Sequence, residues 1–177
     1  MNNPEKSSII KLNLGCGNSR VLGYTGVDLY PCQGRDITHD LNQPLPFPDS
    51  SVSAVIAHHI IEHVADPMKF LEDIHRVCRN DAEVEIITPH FASATSYIDI
   101  THKWHLSYFS LDPFCQEQGC HYRTKKFKRL TQKLSFSGHP LGFIGRMIAL
   151  FSMKEYEYRW SYMFRPSNLH WKLSVVK

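Results

Sequence analysis

Cysteine is scarce and unpaired in this chain: there are five, at positions 16, 32, 78, 115 and 120, an odd number with no CxxC pair among them. That pattern argues against a disulfide framework and for a reduced, cytoplasmic setting. No apolar run approaches the ~20 residues of a membrane span, and the polar opening MNNPEKSS has no signal-peptide core behind it, so no transmembrane segment is expected. Internal repeats and low-complexity tracts are missing too. Charge of one sign is nearly balanced at +3, which permits an anionic partner without demanding one. What remains is an ordinary globular composition over 177 residues, enough for one domain with a substantial core.

One more absence carries the most information. Ile9, Ile10, Leu12 and Leu14 form an apolar run suited to a buried parallel strand, which breaks at Gly15-Cys16-Gly17-Asn18. A second run, Tyr24–Leu29, carries Asp28 near its end. Strand, glycine turn, strand, acid is how open α/β sheets hold a nucleoside, with the backbone under the ligand and a carboxylate on the ribose hydroxyls. A dinucleotide site places that acid about 20 residues past the glycines, because a helix intervenes. Here Asp28 follows Gly17 too closely for a full helix. The spacing excludes a nicotinamide or flavin fingerprint and favours a smaller nucleoside ligand.

Further along, Pro31–Gly34 turns the chain into a short segment, 35–38, suited to an edge strand, and three prolines make HDLNQPLPFPDSS a rigid loop. Val52–Ala57 is a second buried-strand run. Asp66 as N-cap, Pro67 at the first helical position and apolar residues at 70/71, 74 and 77/78 predict a helix to Arg79, stopped by Asn80-Asp81. Val84–Thr88 is the next strand, and strand–helix–strand with short links implies parallel pairing. His90–His105 is polar, aromatic and irregular, as an active-site loop would be. Ser110 is expected to cap a short helix, 111–118, ended by Gly119. Strands are expected over 127–136 and 169–176, the latter with Leu169, Trp171, Leu173 and Val175 on one face. Between them, 138–168 reads as one or two helices forming a lid-like insertion in a single 1–177 domain. Ile144, Met147/Ile148 and Phe151 are expected to pack on the sheet, with Gly142 and Gly145 weakening any long helix.

LNLGCGN, the early acid of GVDL, the loop DITHDLNQPLPFPDSSV, AHHIIEHVADP and the helix before EVEIITPH together resemble class I S-adenosylmethionine-dependent methyltransferases, over residues 10–114. More narrowly the chain is similar to a small type 11-like group with a reduced first helix. The resemblance implies an α/β, Rossmann-like seven-strand-type sheet, mainly parallel with an antiparallel last strand. It implies S-adenosylmethionine as cofactor, with Gly15, Cys16 and Gly17 against its methionine part. Asp28 would hold the ribose hydroxyls, Leu29 beside it would also bind the cofactor, Asp40 and Leu41 would receive the adenine, and Ala57 and His58 would lie beside the reactive methyl. The acceptor expected is an oxygen or nitrogen of a small-molecule or glycan-like compound. A base is needed only for a hydroxyl or protonated amine; His102 and then His58 are the candidates, because histidine titrates near neutrality.

Three features point elsewhere. His59–His63 spells HxxEH, an inverted zinc-peptidase signature, but Asp66-Pro67 leaves it barely two turns and no third ligand is evident, so no metal is expected. The basic run Arg123, Lys125, Lys126, Lys128, Arg129, Lys133 would suit an RNA or protein methyltransferase, or simply a solvated strand edge. No Asn-Pro-Pro-aromatic motif follows the fourth strand, which counts against nucleobase amines, so nucleic acid is not favoured. A non-catalytic S-adenosylmethionine-binding module stands as the alternative from another functional class.

Overall fold

The computed structural model describes residues 10–115 and 126–177. The N-terminal tail, the end of the 111–118 segment with Gly119, Cys120, Arg123 and Lys125 lie outside the described residues. Among the described residues seven strands form one sheet: β1 (Ile10–Leu14), β2 (Thr25–Asp28), β3 (Ile37–Thr38), β4 (Val52–His58), β5 (Cys78–Pro89), β6 (Phe127–Phe136) and β7 (Pro166–Val175). Their order is β3-β2-β1-β4-β5-β7-β6. The first five pair in parallel, while β7 runs antiparallel to both β5 and β6. The chain thus winds outward in one direction from β1 through β2 to β3 and then crosses to β4 on the other side. That reversal opens a crevice outside the carboxyl ends of β1 and β4, where open α/β sheets bind ligands.

Local sequence explains most of this. Leu12 and Leu14 are sealed at 0% exposure, as a strand flanked on both sides requires. Turns alone join β1 to β2, so the expected missing helix is missing. α1 (Pro67–Val77) begins where Asp66 accepts from the Met68 and Lys69 N–H groups at 2.9 and 3.1 Å, and it buries Phe70, Leu71, Ile74 and Val77. It ends two residues earlier than predicted. Cys78 turns extended and starts β5, and Asn80-Asp81 make an irregularity inside the strand, with Asp81 at φ +60°, instead of a stop. Ser110 does not cap the short helix that follows, Asp112–Cys115. Its hydroxyl turns back and accepts from the Ser107 N–H at 2.9 Å. In β7, Leu169, Trp171, Leu173 and Val175 all face the core, as their alternation predicts.

The segment between β6 and β7 reverses one expectation. The helix Pro140–Phe151 runs straight through Gly142 and Gly145, and its buried face is Gly142, Gly145 and Ala149. A Cβ on Gly145 would sit 2.7 Å from the Phe164 carbonyl oxygen and 2.9 Å from the Phe136 ring. Only a bare backbone fits there, so the large apolar residues turn outward: Ile144, Met147 and Phe151 are 42%, 51% and 95% exposed. The glycines act as the contact surface. Both ends of this segment, Phe136 and Pro166, pair at the carboxyl edge of the sheet, the edge that carries the crevice.

Candidate active site

At the end of β1 the chain turns through Gly15 and Gly17, both left-handed at φ +63° and +49°. Gly15 N–H is held by the Val27 carbonyl at 2.8 Å, and a Cβ on Gly15 would collide with Ile60 at 2.7 Å. The side chain of Asp28, at the end of β2, ties the two walls together. Its Oδ2 accepts from the Gly17 N–H at 2.9 Å and its Oδ1 from the Tyr30 N–H at 3.0 Å. A carboxylate offers about four lone-pair positions, so each oxygen retains capacity for a ligand hydroxyl. Asp40 stands on the next turn. The backbone N–H of Asn42 (2.9 Å) holds its carboxyl below the usual carboxylate range against a small opposing effect of burial, and the Asn42 amide adds to this. Asn42 Oδ1 in turn accepts from the Ala65 N–H at 2.7 Å, fastening this turn to the opposite wall.

That wall is the stretch after β4. His59 has a left-handed backbone, φ +53°, and its N–H reaches the Ile87 carbonyl at 2.8 Å. Residues 59–65 form turns and not a helix, so the HxxEH stretch does not present its two histidines one helical turn apart. Glu62 is 1% exposed, and its Oε2 accepts from the Thr88 hydroxyl at 2.9 Å. His63 meets Thr101 at 2.9 Å. The 90–105 loop is clamped onto this wall: Lys103 N–H and the Trp104 indole donate to the carbonyls of Glu62 and Val64 at 2.8 and 2.9 Å. The loop's root is a buried pair. His90 Nδ1 accepts from the Ala92 N–H at 3.0 Å, so Nε2 carries the proton and donates it to Glu157 Oε1 at 2.9 Å. Glu157 belongs to the π-helical turn Tyr156–Trp160, and the same oxygen accepts from the Tyr108 N–H at 3.1 Å.

These walls enclose a cavity of about 570 Å³, within the ~300–1,000 Å³ of small-molecule sites. Gly15 forms one side, Asp28, Leu29, Asp40 and Leu41 another, as their sequence positions suggest. Tyr30, Asn42 and Ile60 also line it, together with His59, His63 and Val64 and the loop residues Ile100, Thr101 and Lys103. Periodicity carries no signal for these; only the Asp28-Leu29-Tyr30 adjacency could have suggested Tyr30. The other predicted residues lie beside the cavity and do not line it. Gly17 holds Asp28 from behind, and Ala57 is sealed at 0% exposure in the sheet. The Cys16 thiol faces Cys32 at 4.0 Å and is pushed up to about 12 by burial and that neighbour. His58 Nε2 bonds Glu85 Oε1 at 3.1 Å. Burial opposes ionisation of Glu85, but Lys172 at 3.0 Å and His58 together outweigh it and lower its pKa. His102 packs edge-on against His63, ring centroids 4.6 Å apart, with Nδ1 donating to the Ser96 carbonyl at 3.1 Å. A second cavity, about 450 Å³ between the end of β6 and the Pro140–Phe151 helix, has no carboxylate in its lining.

The larger cavity therefore fits a nucleoside-bearing ligand: a carboxylate with free lone pairs, a bare-backbone turn, and an apolar wall from Leu29, Leu41 and Ile60. Residues 12–86 match the family model described as a methyltransferase domain. No curated protein sequence matches the chain. Among solved structures, an S-adenosylmethionine-dependent methyltransferase from Archaeoglobus fulgidus is similar with TM-score 0.64 at 18% identity, over 94% of this chain and 86% of that one. The methyltransferase partner in a complex with the Trm112 activator from Haloferax volcanii gives 0.62 at 14% identity, over 96% and 84%. A geranyl diphosphate methyltransferase in complex with its cofactor gives 0.62 at 14%, over 96% and 79%. At such identities these likenesses show the shared fold.

Proposed function

We propose that this chain is a class I S-adenosylmethionine-dependent methyltransferase and that it methylates an oxygen or nitrogen of a small-molecule or glycan-like acceptor. S-adenosylmethionine is its cofactor, and it supplies a methyl group on an activated sulfonium leaving group. The observation that carries the reading is the cavity itself, bounded by Gly15, Asp28 and Asp40 on the cofactor side and by His59, His63, Thr101 and Lys103 on the other. In this reading Asp28 accepts both ribose hydroxyls, the Gly15–Gly17 turn receives the methionine part, and Asp40 with Leu41 receives the adenine. The protein's own work is to align the acceptor with the methyl and exclude water. For a hydroxyl acceptor the proton goes to a histidine at this wall. The His63–His102 pair is the better placed, because His63 lines the cavity and His102 rests on it, whereas His58 is engaged with Glu85.

A nucleic-acid or protein acceptor is the weaker reading. Among the described residues of the basic run, Arg129 is paired with Asp112 and the strand that carries it, β6, is the outer edge of the sheet, where lysines also deter pairing with other chains. The outward apolar face of the Pro140–Phe151 helix, at the same edge as the cavity, favours an amphiphilic acceptor such as a glycolipid over a purely polar one. The test is transfer of labelled methyl to four acceptor sets: small hydroxyl compounds and amines, free glycans, glycolipid vesicles, and bulk RNA or protein. Labelling of the first three supports the proposal. Labelling of RNA or protein alone replaces it, and tight cofactor binding without transfer to any set makes the chain a binding module.

A further inference from the structure

Beside the cavity, three side chains from two segments converge: Glu62 and His63 from the wall after β4, and His102 from the 90–105 loop. One donor atom from each lies within 4.8 Å of the other two. How these groups are held is the telling part. Thr101 spends its hydroxyl proton on Asp99 at 2.7 Å, so its oxygen accepts from His63 Nδ1–H at 2.9 Å. His102 Nδ1–H donates to the Ser96 carbonyl at 3.1 Å. Both rings are thereby fixed in the tautomer that leaves Nε2 with a free lone pair. A carbonyl or an Asp-backed hydroxyl on the far nitrogen is how metal-binding histidines are oriented. Glu62 is fixed in the same way, through Oε2 to Thr88 Oγ1 at 2.9 Å.

Its other oxygen, Oε1, is buried and makes no hydrogen bond. The nearest cationic candidate is His59 Nδ1 at 3.3 Å, on a half-exposed ring and outside hydrogen-bonding geometry. A carboxylate 1% exposed with one oxygen unsatisfied is costly, and a bound cation would remove that cost.

We propose that Glu62, His63 and His102 form a two-histidine, one-carboxylate site for a divalent first-row transition-metal ion. This donor set suits iron, manganese, cobalt or zinc, and leaves coordination positions open. His63 and Thr101 line the cavity, so the open positions face the acceptor. With bonds of ~2.1 Å, tetrahedral ligands stand about 3.4 Å apart, a closure within side-chain reach for two part-exposed histidines. The ligand set differs from the peptidase HxxEH set, since His59 is not in it. An ion here acidifies a hydroxyl bound to it, which narrows the acceptor to a hydroxyl compound and makes His102 a ligand in place of a base. That last consequence rests on the methyl-transfer reading; binding of the ion does not.

The experiment is titration of the chelator-stripped full chain with Co²⁺, read by visible absorption, and with Zn²⁺, read by calorimetry, both without S-adenosylmethionine. One equivalent is expected to bind, and His63→Ala and His102→Ala are each expected to weaken it at least ~10-fold. Thr101→Val, which leaves the ligands in place and removes the hydroxyl that links His63 to Asp99, is expected to weaken it several-fold. Absence of saturable binding overturns the proposal, as does unchanged affinity in both histidine variants. A sulfur-to-cobalt charge-transfer band lost in Cys16→Ser also overturns it, by placing the ion at the Cys16, Asp28 and Cys32 cluster instead. Separate calorimetry with S-adenosylmethionine keeps failure of this site distinct from failure of the methyl-transfer reading.

Discussion

Replacing Asp28 separates what its carboxylate does for the fold from what it does for the ligand. In the free protein each oxygen already accepts one backbone N–H, from Gly17 at 2.9 Å and from Tyr30 at 3.0 Å. Asp28→Ala removes both. Because the Tyr30 bond is solvent-exposed, the two together are worth about 1–2 kcal/mol, which lowers Tm by roughly 2–8 °C in a chain of this size. Binding loses more. Two charge-assisted hydrogen bonds to the ribose hydroxyls are worth about 1.5–3 kcal/mol each, so the Kd for S-adenosylmethionine rises by about 10²–10⁴-fold. Asp28→Asn keeps one neutral acceptor and turns an amide toward the other donor, so its affinity falls between the two, with a smaller change in Tm. Calorimetric titration of all three forms with S-adenosylmethionine and with NAD reads both effects. Wild-type affinity in Asp28→Asn, or binding of NAD alone, would refute the placement of the ribose and the reasoning from the short glycine-to-acid spacing.

Two further outcomes follow from buried and half-buried groups that do not line the cavity. Glu157→Ala strands the His90 Nε2–H and the Tyr108 N–H together, and is expected to cost about 3–5 kcal/mol in denaturant unfolding; a loss under 1 kcal/mol would show that this pair does not anchor the 90–105 loop. Acid should weaken the fold through His75 and His170, whose pKa values are lowered, chiefly by burial. Because the unfolded chain takes up these protons first, near pH 6.5, their stabilisation is complete above that value. It is lost as pH falls from there through the lower folded values, at up to ~1.4 kcal/mol per pH unit for each proton bound. His75→Gln should shallow that slope, as measured by urea unfolding between pH 7 and 5.

Strand and helix identity was legible wherever one face or one short stretch decided it. Leu12 and Leu14 need no partner named to read as buried, and Asp66-Pro67 announces a helix start through hydrogen bonds made within four residues. The glycine turn and the early Asp28 were legible for the same reason, since backbone freedom and chain length are local properties. A mainly parallel sheet with an antiparallel last strand was implied by resemblance and is realised in the parallel pairing of β1 with β4 and the antiparallel pairing of β7 with β5. Tertiary structure alone decided the rest. Gly142 and Gly145 look like helix weakeners until Phe164 and Phe136 are brought against them, and only then does the Pro140–Phe151 helix turn its large apolar side chains outward. Likewise no local pattern shows what His58 and His102 face. It is the pairing of β4 with β5 that draws His58 to Glu85, and the fold of the 90–105 loop that sets His102 against His63. Contacts between residues 27 and 39 positions apart depend on how strands pair and loops fold back, and no local pattern records that.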